Sequence, residues 1–168
     1  MRSMYGVEIQ IPAGKLPGFY AQVIHKIGDH VNVFDRDQLL FIVENEDERD
    51  KLEEVLRKPN MLKDVFPLLL MPSTAKIESL EDRGFISQNE HLYLYADRIA
   101  VFTLPENLGS EPDRWAAHEQ LREHLVGQIP GSPAAPAPSY IIDSSLTELV
   151  EGIARAYQVS LQWIHREE

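Results

Sequence analysis

Residues 39–72 read LLFIVENEDERDKLEEVLRKPNMLKDVFPLLLMP, and the succession of patterns within them decides the fold class. Leu39 to Val43 is a short apolar run, as a buried strand requires. Asn45 then stands three residues before Glu48, the spacing of a helix cap. Leu52, Val55 and Leu56 recur on one helical face, while Asp47 with Lys51, Glu53 with Arg57 and Glu54 with Lys58 are spaced for i,i+4 ion pairs. Pro59 follows the helix, and Val65 to Met71 supplies a closing strand.

Toward the N-terminus, Val7, Ile9 and Ile11 alternate with Glu8 and Gln10, the period-two signature of a half-buried strand. Pro12, Gly14, Pro17 and Gly18 punctuate the chain before Phe19, Val23, Ile24 and Ile27 recur at helical spacing. Gly28 is placed to end that helix, Val31 to Phe34 reads as a strand, and Asp35-Arg36-Asp37 as a turn. Residues 1–75 therefore predict βαββαβ, the ferredoxin-like plan.

Residues 76–127 predict a hairpin and a helix. Leu92 to Tyr95 and Ile99 to Leu104 flank a tight Ala96-Asp97 turn. The helix starts near Ser110, with Asp113 three residues on, and carries Trp115, Leu121 and Leu125. Residues 128–139, QIPGSPAAPAPS, hold four prolines and read as a semi-rigid linker. Residues 140–168 predict a βαβ unit packing on the rest. Tyr140 to Ile142 is a strand, Ser145 with Glu148 a capping box, and Leu146, Leu149, Val150, Ile153 and Tyr157 a buried helical stripe. Val159, Leu161 and Trp163 form the last strand. So short a crossover predicts two parallel, neighbouring strands. No internal repeat is legible between the halves. The expected class is α+β: a ferredoxin-like βαββαβ first half, then a β-hairpin, helix and βαβ second half.

Sixteen basic residues face twenty-seven acidic ones, a formal net charge of −11, which repels a phosphate backbone and disfavours nucleic-acid binding. The charge is uneven: residues 1–75 carry 9 basic and 12 acidic groups, residues 76–168 carry 7 and 15. There are no cysteines, which removes disulfides, thiolate catalysis and thiolate metal sites. The N-terminal stretch MRSMYGVEIQIPAG has no signal-peptide core, and the longest apolar run, Phe66 to Met71, is interrupted by Pro67. A cytoplasmic protein without membrane association is the expectation.

The strand, then Pro17-Gly18-Phe19, a helix, then Val31-Asn32-Val33 and a strand before an acidic-capped helix resembles the ACT-type regulatory domain over residues 5–72. The resemblance implies a fold that pairs between copies and a small ligand, such as an amino acid, near the first strand-to-helix loop. It maps ligand positions onto Gly14, Leu16, Gly18 and Asn32.

From the residues themselves, His25, Asp29, His30, Asp35 and Asp37 form the densest group of potential ligands, but without H-x-x-x-H or H-E-x-x-H spacing no metal is assigned. No G-x-S-x-G surrounds any serine, so no catalytic residue is assigned, and no cofactor is called for. Tyr93 and Tyr95 alternate with Leu92 and Leu94 and are candidates to anchor a partner, unless a helix covers them. Three readings stay open. The first is a non-catalytic regulatory or adaptor protein acting by protein contact, as a homodimer or as an acidic, immunity-type inhibitor of a basic protein partner. The second is an ACT-like sensor of an amino acid or nucleotide. The third is a small hydrolase whose site is assembled from His and Asp.

Overall fold

The computed structural model describes residues 1–167; Glu168, the end of the 140–168 segment, lies outside them. Four helices and eleven strands form two sheets among the described residues, an α+β architecture. The chain divides into two compact units: residues 1–71 with 85–93, and residues 72–84 with 94–168.

The first unit begins β1 (Arg2–Ile9), α1 (Pro17–His30), β2 (Asp35–Asp37), β3 (Leu40–Val43), α2 (Glu46–Arg57) and β4 (Leu62–Leu70). The chain then lays down a short edge strand of the other sheet, β5 (Lys76–Ile77), and returns as β6 (Gly84–Ile86) and β7 (Leu92–Tyr95). The first sheet runs β2-β3-β1-β4-β7-β6, and the boundary between units passes through β6 and β7. β1 pairs antiparallel with both β3 and β4, so Val7 lies opposite Phe41 on one side and Val65 on the other. Alternation in β1 delivers Val7 and Ile9 to a core shared with Val23 and Ile27 of α1 and Leu52 and Leu56 of α2. Each such side chain contributes roughly 1.5–3 kcal/mol by leaving water. The Asn45 cap forms, its side chain accepting from the Glu48 amide at 2.9 Å.

The second unit continues β8 (Ile99–Thr103), α3 (Glu111–Leu121), β9 (Leu125–Ile129), β10 (Ser139–Asp143), α4 (Thr147–Ala156) and β11 (Gln162–His165). Its sheet runs β11-β8-β10-β9-β5. Numbered within its own βαββαβ run, this is strand order 4-1-3-2, and the first unit holds the same order read from the other edge. The split-βαβ plan therefore occurs twice. The sequence shows no repeat, yet the topology does.

Several expectations are corrected. Asp35-Arg36-Asp37 is strand β2, not a turn; the reversal comes at Gln38, whose φ is 55°. Gly28 does not end α1, which runs on to His30 with an extended Val31 as its cap. Strands β7 and β8 form no hairpin, although Arg98 N–H closes the turn onto the Tyr95 carbonyl. β8 is already hydrogen-bonded to β10 on one side and β11 on the other, and β7 joins the first sheet. For the same reason β10 and β11 are parallel but not neighbours, because β8 lies between them. Residues 128–139 connect no separate units; β9 pairs directly with β10, and the prolines occupy the hairpin loop between them. Ser145 does not cap the following helix. It donates to Asp143, whose carboxylate caps a 3-10 turn at Ser144–Leu146.

Candidate functional site

The densest polar assembly of the first unit is built around Asp35. Its neighbours in β2 point it inward, and it is almost fully buried. Ser87 Oγ and Tyr93 OH each donate to Oδ2 at 2.7 Å, and His91 Nδ1 lies 2.9 Å from the same oxygen. Asn89 Nδ2 donates to Oδ1 at 2.7 Å, as does the Arg36 amide at 2.8 Å. Burial alone would raise the Asp35 pKa, but the hydrogen bonds from Ser87, His91, Tyr93 and Asn89 outweigh it and hold the carboxyl well below the usual aspartate range. Burial, then the bond to Asp35, pushes the Tyr93 phenol up.

An ionised carboxylate only accepts, so His91 Nδ1 carries a proton and donates it to Asp35 Oδ2. The ring stacks on Phe34 at 5.4 Å and its side chain is 40% exposed. A histidine hydrogen-bonded through Nδ1 to a buried aspartate has the geometry of two members of a catalytic triad. Ser87 is not the third. Its hydroxyl proton goes to Asp35 rather than to His91, and it also accepts from the His91 amide at 3.3 Å. The chemistry expressed is anchorage of β2 to the β6–β7 hairpin.

The second unit presents a different feature. α3 begins with the capping box expected of Ser110 and Asp113 and buries Ala117 and Leu121. Trp115, two residues before Ala117 and so on nearly the opposite side of the helix, is 66% exposed. Beside it His118 packs on Tyr140 at 5.0 Å between centroids. The proline loop closes the far wall, tied down where Thr103 Oγ1 donates to the Pro138 carbonyl at 2.9 Å. Together they line a groove of about 630 Å³, to which Leu104, Pro105, Glu106, Glu111 and Arg114 also contribute. Burial raises the Tyr140 pKa.

No family model, curated protein or solved structure matches this chain.

The positions expected to bind a small ligand do not converge. Gly14, Leu16 and Gly18 lie at the N-terminal end of α1 and Asn32 beyond its C-terminal end, roughly 20 Å away for a helix of that length. Leu16 is 78% exposed and Gly14 takes a turn with φ of 80°. The Asn32 amide is occupied, donating to Glu48 Oε2 at 2.7 Å. Tyr93, offered as a partner anchor, is fully buried with its hydroxyl on Asp35, so it presents nothing to a partner. Tyr95 is half-buried under the Arg98 guanidinium. His25 and Asp29 approach to 3.4 Å on the α1 surface. No group of three or more His, Asp or Glu is arranged to hold a metal among the described residues, and no helix there is long and apolar enough to cross a membrane.

Sequence reading missed the Asp35 assembly because its donors arrive 52–58 residues later. The available signal was the polar run Ser87-Gln88-Asn89-Glu90-His91 between two strands. It also passed over Trp115 as one more apolar residue of its helix.

Proposed function

We infer that the protein is a non-catalytic binding protein that engages a basic protein partner through the Trp115 groove of its second unit. The observation that carries this reading is the exposure of Trp115 at the edge of a groove with aromatic and proline walls. Tryptophan is among the residues most enriched at the energetic centres of interfaces, and exposing one elsewhere has no benefit to folding. Charge supports the same reading. The second unit has seven basic and fourteen acidic residues, and two carboxylates, Glu106 and Glu111, line the groove against one cation, Arg114. Complementary charge accelerates encounter and makes it sensitive to salt.

The test is affinity capture with the wild-type chain and with Trp115→Ala, each at low and high salt. A stoichiometric partner held by the wild type, released by salt and lost from the variant supports the reading. Capture that Trp115→Ala leaves unchanged overturns it.

A further inference from the structure

The first unit carries a concentration of positive charge that an acidic chain does not need for solubility. Helices α1 and α2 pack together, and two adjoining concavities lie along their seam. One, of about 750 Å³, is lined by Lys26, Lys51, Arg57 and Lys58. The other, of about 540 Å³, is lined by Lys15, Lys26 and Lys58 above an apolar floor. Five of the sixteen basic residues thus converge on one face of a protein whose net charge is −11. Against them Glu54 is the one carboxylate among the lining residues.

Helical spacing produces this. Val23, Lys26 and His30 form a stripe on α1, and Lys51, Glu54 and Val55 of α2, with Lys58 at its C-cap, form the facing stripe. Lys51 and Arg57 are steadied by Glu48 at 2.9 Å and Glu53 at 2.8 Å. The side chains of Lys26 and Lys58 make no hydrogen bond or ion pair with any other described residue. Among the described residues the Lys15 ammonium has only the face of the Phe19 ring, 5.0 Å from its centroid. Neighbouring cations left without counter-charge repel one another, and a bound anion relieves that repulsion.

We propose that this seam binds a phosphorylated small molecule of the nucleotide class. Its phosphates lie among Lys26, Lys51, Arg57 and Lys58, and its planar base lies on the floor formed by Phe19, Val23, Val55 and Pro59. Both volumes fall in the range of small-molecule sites, about 300–1,000 Å³. A lone carboxylate, as on an amino acid, does not use so many cations. A nucleic acid would meet the same cations, but its backbone extends past them into the field of the remaining acidic surface. A compact polyanion meets only the seam. The site is independent of the Trp115 groove.

The test is calorimetric titration of the full chain at low salt with adenosine triphosphate, inorganic tripolyphosphate and adenosine. The expected result is one site per chain, tightest for the nucleotide, weaker for tripolyphosphate and weakest for adenosine. Lys26→Gln combined with Lys58→Gln weakens both phosphorylated probes at least tenfold, whereas Lys63→Gln, on β4, changes neither. Phe19→Ala weakens the nucleotide toward the tripolyphosphate value and leaves tripolyphosphate unchanged. Melting curves of each variant confirm that it is folded. Absence of heat with the nucleotide at millimolar concentration overturns the proposal, as does binding unaffected by the double substitution. Tighter binding of a single-stranded oligonucleotide or a poly-glutamate peptide than of the nucleotide also overturns it, because the seam then serves a polymer.

Discussion

The hydroxyl of Tyr93 donates to the carboxylate of Asp35 at 2.7 Å across 58 residues of chain. Both groups are buried, and the bond ties a strand on one edge of the first sheet to a strand near the other end of its order. Removing the hydroxyl in Tyr93→Phe takes away a hydrogen bond to a charged acceptor, a loss of about 1.5–3 kcal/mol. Asp35→Asn is more damaging, roughly 3 kcal/mol or more, because an amide cannot accept from all the donors that face it. Urea unfolding followed by circular dichroism measures both, with the midpoint of Asp35→Asn below that of Tyr93→Phe.

The same carboxylate sets a pH dependence. Its folded pKa lies below its unfolded value, so its contribution is fully present above about pH 4 and is lost as the pH falls below that. Asp143 is held low too, chiefly by the hydrogen bonds from Ser145, and acts in the same direction. Stability of the wild type therefore declines on acidification below about pH 4. Asp35→Asn has a lower plateau and a shallower decline, which melting temperatures measured between pH 2.5 and 7 will show.

Trp115 and Phe102 have opposite expected responses to truncation. Phe102 is fully buried, with Tyr140 and Trp163 against its ring, and Phe102→Ala costs about 3–5 kcal/mol. Trp115→Ala, at an exposed helix position, changes stability by less than about 1 kcal/mol. Thermal melts of the two variants separate a residue kept for folding from one kept for contact.

Gly127 on β9 faces β5 at close range. A Cβ built there lies 2.5 Å from the Lys76 carbonyl oxygen and 2.7 Å from the Ile77 side chain. The carbonyl belongs to backbone and cannot rotate away, so Gly127→Ala forces β5 from its place at a cost of about 1–3 kcal/mol. Hydrogen exchange should quicken at Glu78, whose amide donates to the Val126 carbonyl next to that contact.

How much of this was legible in the sequence depended on how local the deciding interaction is. The α2 helix was plain because its cap, its stripe and its Glu53–Arg57 pair, found at 2.8 Å, all lie within thirteen residues. The β1 alternation and the βαββαβ order of the first half were legible for the same reason. Asp35-Arg36-Asp37 was misread because two aspartates around an arginine suit a turn, and nothing nearby announces four side-chain donors from residues 87–93. The second βαββαβ run was hidden by its proline-filled hairpin loop. A short strand–helix–strand also does not reveal that β8, laid down forty residues earlier, will come between its strands. The exposed face of a helix is legible as polar or apolar only on average, so Trp115 and the lysines of the α1–α2 seam needed coordinates.

The chain's passage from the first sheet to the second and back has a consequence for the order of events during synthesis. Asp35 leaves the ribosome long before Ser87, Asn89, His91 and Tyr93, so water must serve its carboxylate in the interval. By the time those donors emerge, β5 has already been made, yet β8 to β11 of its own sheet have not. The first sheet therefore waits for two strands made after the second sheet has begun, and a fragment ending near residue 75 is released with a buried-type aspartate and none of its side-chain donors. The interlaced connectivity makes synthesis through Tyr95 a condition for finishing the first sheet, and synthesis through His165 a condition for finishing the second.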